Sequence, residues 1–120
     1  ELQQCREQLL ELLYKGYIRP SASPFGAPIL MVPKPNDPSK LRMVVDYRAI
    51  NALTQADRYP LPDITCMMQQ MQGKTVFSTV DLLWGFWHIP MLEEHKERTA
   101  MTTQQLGALE WHCLPMDLKN

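Results

Sequence analysis

The chain has 120 residues, the length of one ordinary domain; it is 45% hydrophobic and 21% charged, with a formal net charge of −1, which suits a folded core and excludes a disordered polyelectrolyte. No apolar run reaches the roughly 20 residues of a membrane-spanning helix, and the charged, amphipathic opening ELQQCREQLLELLYKG lacks the plan of a secretory signal, so an intracellular protein with no membrane partner is expected, its compartment left open. The three cysteines, Cys5, Cys66 and Cys113, are odd in number and widely spaced; they read as free thiols, not as a disulfide framework or a four-ligand zinc site.

In chain order, Leu2, Cys5, Leu9 and Leu12 or Leu13 recur at helical spacing, and Gly16 stands where a C-cap would, so a helix is predicted over 2–15. IRPSASPFGAP (18–28), with three prolines and a glycine, reads as an ordered loop. PILMVPK and LRMVVDY, joined by the turn-forming PNDPS, predict a β-hairpin in which Pro33 and Pro35 leave at least one strand edge unpaired. RAINALTQADRYPLP predicts a short helix or turn followed by an extended segment. Asp63 can cap a helix through ITCMMQQMQ, ended by Gly73, with Met67, Met68 and Met71 on its core face. TVFSTVD (75–81) predicts a strand, EEHKER a helical turn, and RTAMTT and ALEWHCL two further strands. Helices and hairpins in this order argue for an α+β fold, without internal repeats.

Charge is uneven along the chain. Between Arg19 and Arg58 six bases face three acids, and from Tyr59 to Asn120 four bases face seven acids. A basic first half beside an acidic second half suits a lobe that faces a polyanion next to one that binds metal; ordinary scatter of surface charge is the alternative.

The stretch FSTVDLLWGFWHI (77–89) puts Asp81 at the end of the apolar strand candidate. A carboxylate held there can bind Mg²⁺, which takes hard oxygen ligands. Phosphoryl transfer by two metals needs more than one carboxylate, yet Glu93, Glu94, Glu97, Glu110 and Asp117 form no acidic pair on a strand turn. On these residues alone Asp81 is either a metal ligand or a cap for the turn that follows. Trp84, Trp87 and Trp111 either stack on bases or pack in the interior. Arg42 is a solvated strand residue or a functional cation, and Arg48 can pair with Asp46 or Asp57.

Six stretches taken together, LLYKGYIRPSASPFGAPILMVPKP, LRMVVDYRAINALT, DRYPLPDI, FSTVDLLWGFWHI, ERTAMTT and GALEWHCLPMDL, resemble the N-terminal part of a reverse transcriptase of the gypsy-type long-terminal-repeat retrotransposon class. The resemblance implies a truncated α+β polymerase fold, one partial domain. About 1–75 would be fingers and connecting helices, and about 76–120 the start of a palm in which an antiparallel sheet carries packed helices. It implies RNA-directed DNA polymerisation by the complete enzyme, with Mg²⁺, an RNA/DNA primer-template and dNTPs. Asp81 then matches the first catalytic aspartate, a ligand to both metal ions. Leu82 matches a backbone position under the triphosphate, and Phe86 the ring that excludes a 2′-hydroxyl. Arg42 matches an arginine that packs on the incoming base and contacts phosphate, a task suited to its planar fork. Lys34 matches a lysine on the triphosphate, and Met116 belongs with these nucleotide-facing positions. Asp46, Tyr47, Arg48 and Asn51 match a segment near the template, and Arg58 lies in DRYPLP, which leads from fingers into palm.

The chain also departs from the family pattern. Where serine, glycine, tyrosine, histidine and glutamine usually follow the first catalytic strand, it has Trp84, Gly85, Phe86, Trp87 and His88. Where the family has proline, phenylalanine, glycine and leucine it has Pro115, Met116, Asp117 and Leu118. A tryptophan and a carboxylate would crowd and repel a polyphosphate. The family's tyrosine-x-aspartate-aspartate turn does not occur in these 120 residues, nor do the rest of the palm, the thumb or an RNase H domain. The isolated chain is therefore expected to be inactive, association-prone and only marginally stable. The alternative is a degenerate element-derived module that binds nucleic acid or protein, or a translated relic.

Overall fold

The computed structural model describes residues 2–119. The first helix, α1, spans Leu2–Tyr14 and buries Leu9 and Leu12. Gly16 ends it in the left-handed region at φ +73°, with its N–H donating to Leu13 O at 3.0 Å, the geometry that favours glycine after a helix. Strand β1 follows at Ile18–Pro20. Thus the first residues of the expected loop are a strand. Ile18 sits opposite Trp111 and Pro20 opposite Leu109, and the partner that makes this strand lies some ninety residues on. Pro20 is tolerated because β1 is at the edge of the sheet.

The hairpin forms as expected, with β2 at Ala27–Lys34 and β3 at Asp37–Val45. Its turn is only Pro35 and Asn36, shorter than the PNDPS reading, because Lys34 pairs with Asp37 across a bulge. Helix α2 covers Arg48–Leu53. Helix α3 covers Ile64–Met71, and the Asp63 carboxylate accepts from Thr65 N at 2.8 Å, the expected N-cap. Gly73 closes that helix at φ +77°. A 3-10 turn at Gly85–His88, the short α4 at Glu93–Lys96 and a second 3-10 turn at Glu97–Thr99 lead into β4 at Met101–Thr103 and β5 at Gly107–Trp111.

The five strands make one sheet in the order β1-β5-β4-β2-β3. All neighbours are antiparallel except β2 and β4, which run parallel with Ala27 opposite Met101. Just before β2, a Cβ on Gly26 would lie 2.5 Å from the side-chain Oγ1 of Thr102 on β4, so a larger residue there would force that hydroxyl to move. The core lies between α1 and the sheet: Leu9, Leu12, Ile18, Val45, Tyr47, Met101, Leu109, Trp111 and Cys113 are all buried. Burial of each large apolar side chain contributes about 1.5–3 kcal/mol. Burial also pushes the Cys113 thiol above its ordinary range, so it packs as a small hydrophobe.

Two expectations fail outside this core. TVFSTVD forms no strand; residues 74–82 have no regular structure. Strand propensity is expressed only against a partner, and no described strand lies beside this segment. Met67, Met68 and Met71 do not face the core; α3 buries none of its residues. The stretch around α3 is exposed and packs on none of the strands, and the radius of gyration is 17.7 Å where a compact chain of this length would have about 14 Å.

Candidate functional site

The feature with the most chemistry is a cleft of about 560 Å³ between α1, β3 and the turn at 115–117. One wall is the hairpin, which supplies Lys34, Lys40 and Arg42. Arg42 is exposed on β3 opposite Val32. The facing wall is α1, and two of its glutamines fix the distance between them. Gln8 Nε2 donates to Leu41 O at 2.9 Å and Gln8 Oε1 accepts from Met43 N at 3.0 Å, while Gln4 Oε1 accepts from Leu41 N at 3.2 Å. These amides satisfy the outer edge of β3 as a neighbouring strand would, and they cover it against other strands. Because Leu41 and Met43 turn their peptide groups outward, Pro33, which faces Leu41, needs no N–H toward β3. Nothing in the sequence pattern singled out Gln4 and Gln8. Their one signal is polar spacing of four on the helix face that also carries Leu12.

Tryptophans floor the cleft. Trp84, Trp87 and Trp111 line it and stack in a row, with ring centroids 5.1 Å apart for Trp84–Trp87 and 5.8 Å for Trp87–Trp111. Of the two readings of these rings, packing holds for Trp111, which is buried; Trp87 is half-buried and Trp84 is 40% exposed. Trp84 has left-handed backbone at φ 53°, uncommon for a bulky residue, and its ring carries the Lys15 ammonium at 4.2 Å from the centroid, a cation–π contact. Lys15 also donates to Glu11 at 2.6 Å.

The C-terminal wall is Pro115, Met116 and Asp117. Asp117 is at φ 66°, where the family pattern has glycine. Asn51 holds this turn: its Nδ2 donates to Asp117 O at 2.7 Å and its Oδ1 accepts from Lys119 N at 2.8 Å. The structure thus brings Lys34, Arg42 and Met116 to one cleft and leaves Asp81, Leu82 and Phe86 outside its lining. Four cations and three carboxylates line it, so its charge is close to balanced.

Asp81 is exposed and follows the unpaired segment. No group of three or more potential ligands that could hold a metal ion is present among the described residues.

The template-facing set also divides. Tyr47 is 2% exposed, and its hydroxyl donates to Thr99 O at 2.8 Å across the core; burial pushes its phenol well above the ordinary range. It is a core residue: it follows β3 by two positions, precedes α2, and is buried in the same cluster as Val45. Asp46 and Arg48 pair with each other, Nη2 to Oδ2 at 2.6 Å, and the Arg48 side chain and backbone N–H hold the Asp46 carboxyl down at about 2. Asn51 spends its amide on the 117–119 turn. Arg58 is exposed.

A second polar cluster, missed by the sequence reading, braces β1 and β5. Glu110, 7% exposed, accepts from Arg19 Nε at 2.8 Å and from Ser21 Oγ at 2.5 Å. Burial would push its carboxyl up, but Ser21 and Arg19 outweigh it and the net shift is down. Arg19 also reaches Glu93, and Lys96 joins Glu93 at 2.5 Å to His112 Nδ1 at 3.1 Å. Lys96 and Arg19 together hold the Glu93 carboxyl at about 2.

Comparison with known proteins gives this architecture a family. Residues 32–120 match the model of "Reverse transcriptase (RNA-dependent DNA polymerase)". The chain belongs to the reverse transcriptase family. It is 42% identical over 120 residues to the retrovirus-related Pol polyprotein from transposon opus of Drosophila melanogaster, covering 98% of this chain and 12% of that protein. It is 38% identical over 115 residues to the enzymatic polyprotein of cauliflower mosaic virus, strain Strasbourg, covering 94% of this chain and 17% of that protein. Among solved structures, the prototype foamy virus protease-reverse transcriptase superposes with a TM-score of 0.76 at 30% identity, covering 98% of this chain and 15% of that one. The foamy viral protease-reverse transcriptase in complex with RNA/DNA hybrid superposes with a TM-score of 0.75 at 25% identity, covering 99% of this chain and 16% of that one. The chain therefore spans under a fifth of the length of each of these relatives.

Proposed function

We propose that the chain is the fingers and early palm of a gypsy-type retrotransposon reverse transcriptase, with the fingers and connecting helices over about 1–75 and the palm beginning near 76. In the complete enzyme it contributes to RNA-directed DNA polymerisation on a primer-template. The observation that carries this reading is the cleft, where Lys34, Arg42 and Met116, three of the positions matched to nucleotide contacts, converge from separate elements. Arg42 is suited to stack on the incoming base and hydrogen-bond its phosphates. Asp81 is the first metal-ligating aspartate, and the remaining carboxylates of a Mg²⁺ clamp come from residues beyond these 120. The structures of relatives bound to double-stranded DNA and to RNA/DNA hybrid support nucleic acid as the partner.

The 120-residue chain alone does not polymerise, because phosphoryl transfer rests on positioning and charge that one aspartate cannot supply. Fluorescence anisotropy with a labelled RNA/DNA hybrid tests the binding part. Affinity should fall steeply with salt, and primer extension by the same chain should be absent. Extension that Asp81→Asn abolishes would overturn the inactivity, and no binding at low salt would overturn the nucleic-acid role.

One observation favours a second reading. Trp84, capped by Lys15, and Asp117 both project into the cleft lining, where a polyphosphate would need room and positive charge. A degenerate module that retains nucleic-acid binding without nucleotide binding fits that arrangement. Hybrid binding with no response to any dNTP would favour it.

A further inference from the structure

Met116 and Asp117 reach the cleft from a turn tied down on both sides. Pro115 before them is fully buried, and Leu118 after them packs against the core. Between these anchors the backbone passes through the left-handed region at Asp117, φ 66°, a conformation uncommon outside glycine that persists where the surroundings hold it. One side chain of α2 does the holding. The Asn51 amide donates through Nδ2 to Asp117 O at 2.7 Å and accepts through Oδ1 from Lys119 N at 2.8 Å, so a single planar group grips the chain on either side of Leu118. The Asn51 backbone is itself fixed, since its N–H donates to Tyr47 O at 2.8 Å and Tyr47 lies in the core. A second side chain ties the same two elements: Lys119 Nζ donates to Thr54 O at 2.8 Å, at the C-terminal end of α2, where a cation is favoured.

These three bonds join α2 to the turn, and no residue of α2 lines the cleft. Asn51 stands in the stretch matched to a template-facing segment, yet its amide is directed at the turn. An amide suits the task because it sets a donor beside an acceptor, whereas a carboxylate only accepts. We propose that Asn51 is a positioning residue: from outside the cleft it sets the turn that presents Met116 to an incoming nucleotide. The inference rests on the reading of the cleft as a nucleotide site and adds to it the group that holds one wall in place.

NMR of the 120-residue chain carrying methyl-labelled methionine, beside a dNTP titration of each variant, tests it. In the parent the Met116 methyl should be shifted by the tryptophan rings that share its cleft. Asn51→Ala should move that resonance toward the position of free methionine and weaken dNTP binding about fivefold, the worth of one lost hydrogen bond. The methyl of Met101, buried in β4, should stay in place and so verify the fold. Asn51→Asp keeps the acceptor for Lys119 N and loses the donor to Asp117 O; it should act in the same direction, and it carries the test if Asn51→Ala unfolds. A parent that binds no dNTP would overturn the nucleotide reading together with the role given to Asn51. A parent that binds, with folded variants that bind equally well, would overturn the positioning role alone. So would a lowered denaturation midpoint with the Met116 methyl unmoved, the mark of a merely structural contact.

Discussion

Replacing Tyr47 by Phe separates two accounts of one residue. In the structure Tyr47 and Thr99 are buried, and the phenol donates to the Thr99 carbonyl at 2.8 Å. Removing the hydroxyl deletes a hydrogen bond of net value near 1 kcal/mol and strands a buried carbonyl, so the total cost is about 1–3 kcal/mol. The Phe ring refills the same space, so no cavity contribution is added. For a domain of this size each kcal/mol lowers Tm by about 4 °C; a fall of about 4–12 °C follows. The assay is urea denaturation followed by tryptophan fluorescence, comparing midpoints at unchanged slope. Hybrid binding by the folded variant should equal that of the parent. A midpoint unchanged within error, with weakened nucleic-acid binding, would refute the burial argument and return Tyr47 to the template-facing surface.

Three further outcomes follow from the same geometry. Asp117→Gly removes a carboxylate from the cleft and suits the left-handed backbone at φ 66°; stability should change by less than about 1 kcal/mol while dNTP affinity rises, measured by calorimetry. Gln8→Ala unfastens the edge of β3, costing about 1–2 kcal/mol, and the Met43 amide should exchange faster with deuterium; an unchanged rate would show that the helix does not guard that edge. The Glu93 carboxyl is held at about 2 against an ordinary 4.5, so its contribution is complete above about pH 4.5 and is lost as pH falls toward 2. Glu93→Gln should make stability depend less on pH across that window, with Asp46, also held at about 2, keeping part of the slope; a parent profile that is already flat there would contradict the brace.

The parts of this fold governed by local chemistry were legible in the sequence. Asp63 and Gly73 bracket α3, Gly16 ends α1, and two prolines mark the hairpin turn, because caps and turns act through residues a few positions apart. What long-range pairing decides was not legible. Ile18–Pro20 becomes a strand only because Trp111 to Leu109 lie beside it. TVFSTVD, with better strand composition, forms none for want of a neighbour. The same holds for the site. The resemblance marked Lys34, Arg42 and Met116, which the fold gathers, but also Tyr47, which it buries, and Asp81, Leu82 and Phe86, which lie outside the cleft. The glutamines of α1 and the Arg19–Glu110–Glu93 brace join residues far apart in sequence, so no motif announces them.

We propose that the cleft between the hairpin and α1 receives a nucleotide. Its own tryptophans report on it, since Trp84, Trp87 and Trp111 line it. The most direct measurement is a titration of the chain with each dNTP, followed by tryptophan fluorescence, beside the same titration of Arg42→Ala. A saturable change in the parent that Arg42→Ala weakens at least tenfold, as loss of a charge-assisted contact of about 1.4 kcal/mol or more requires, is the predicted result. No change at any dNTP concentration, or a change that Arg42→Ala leaves intact, would contradict it.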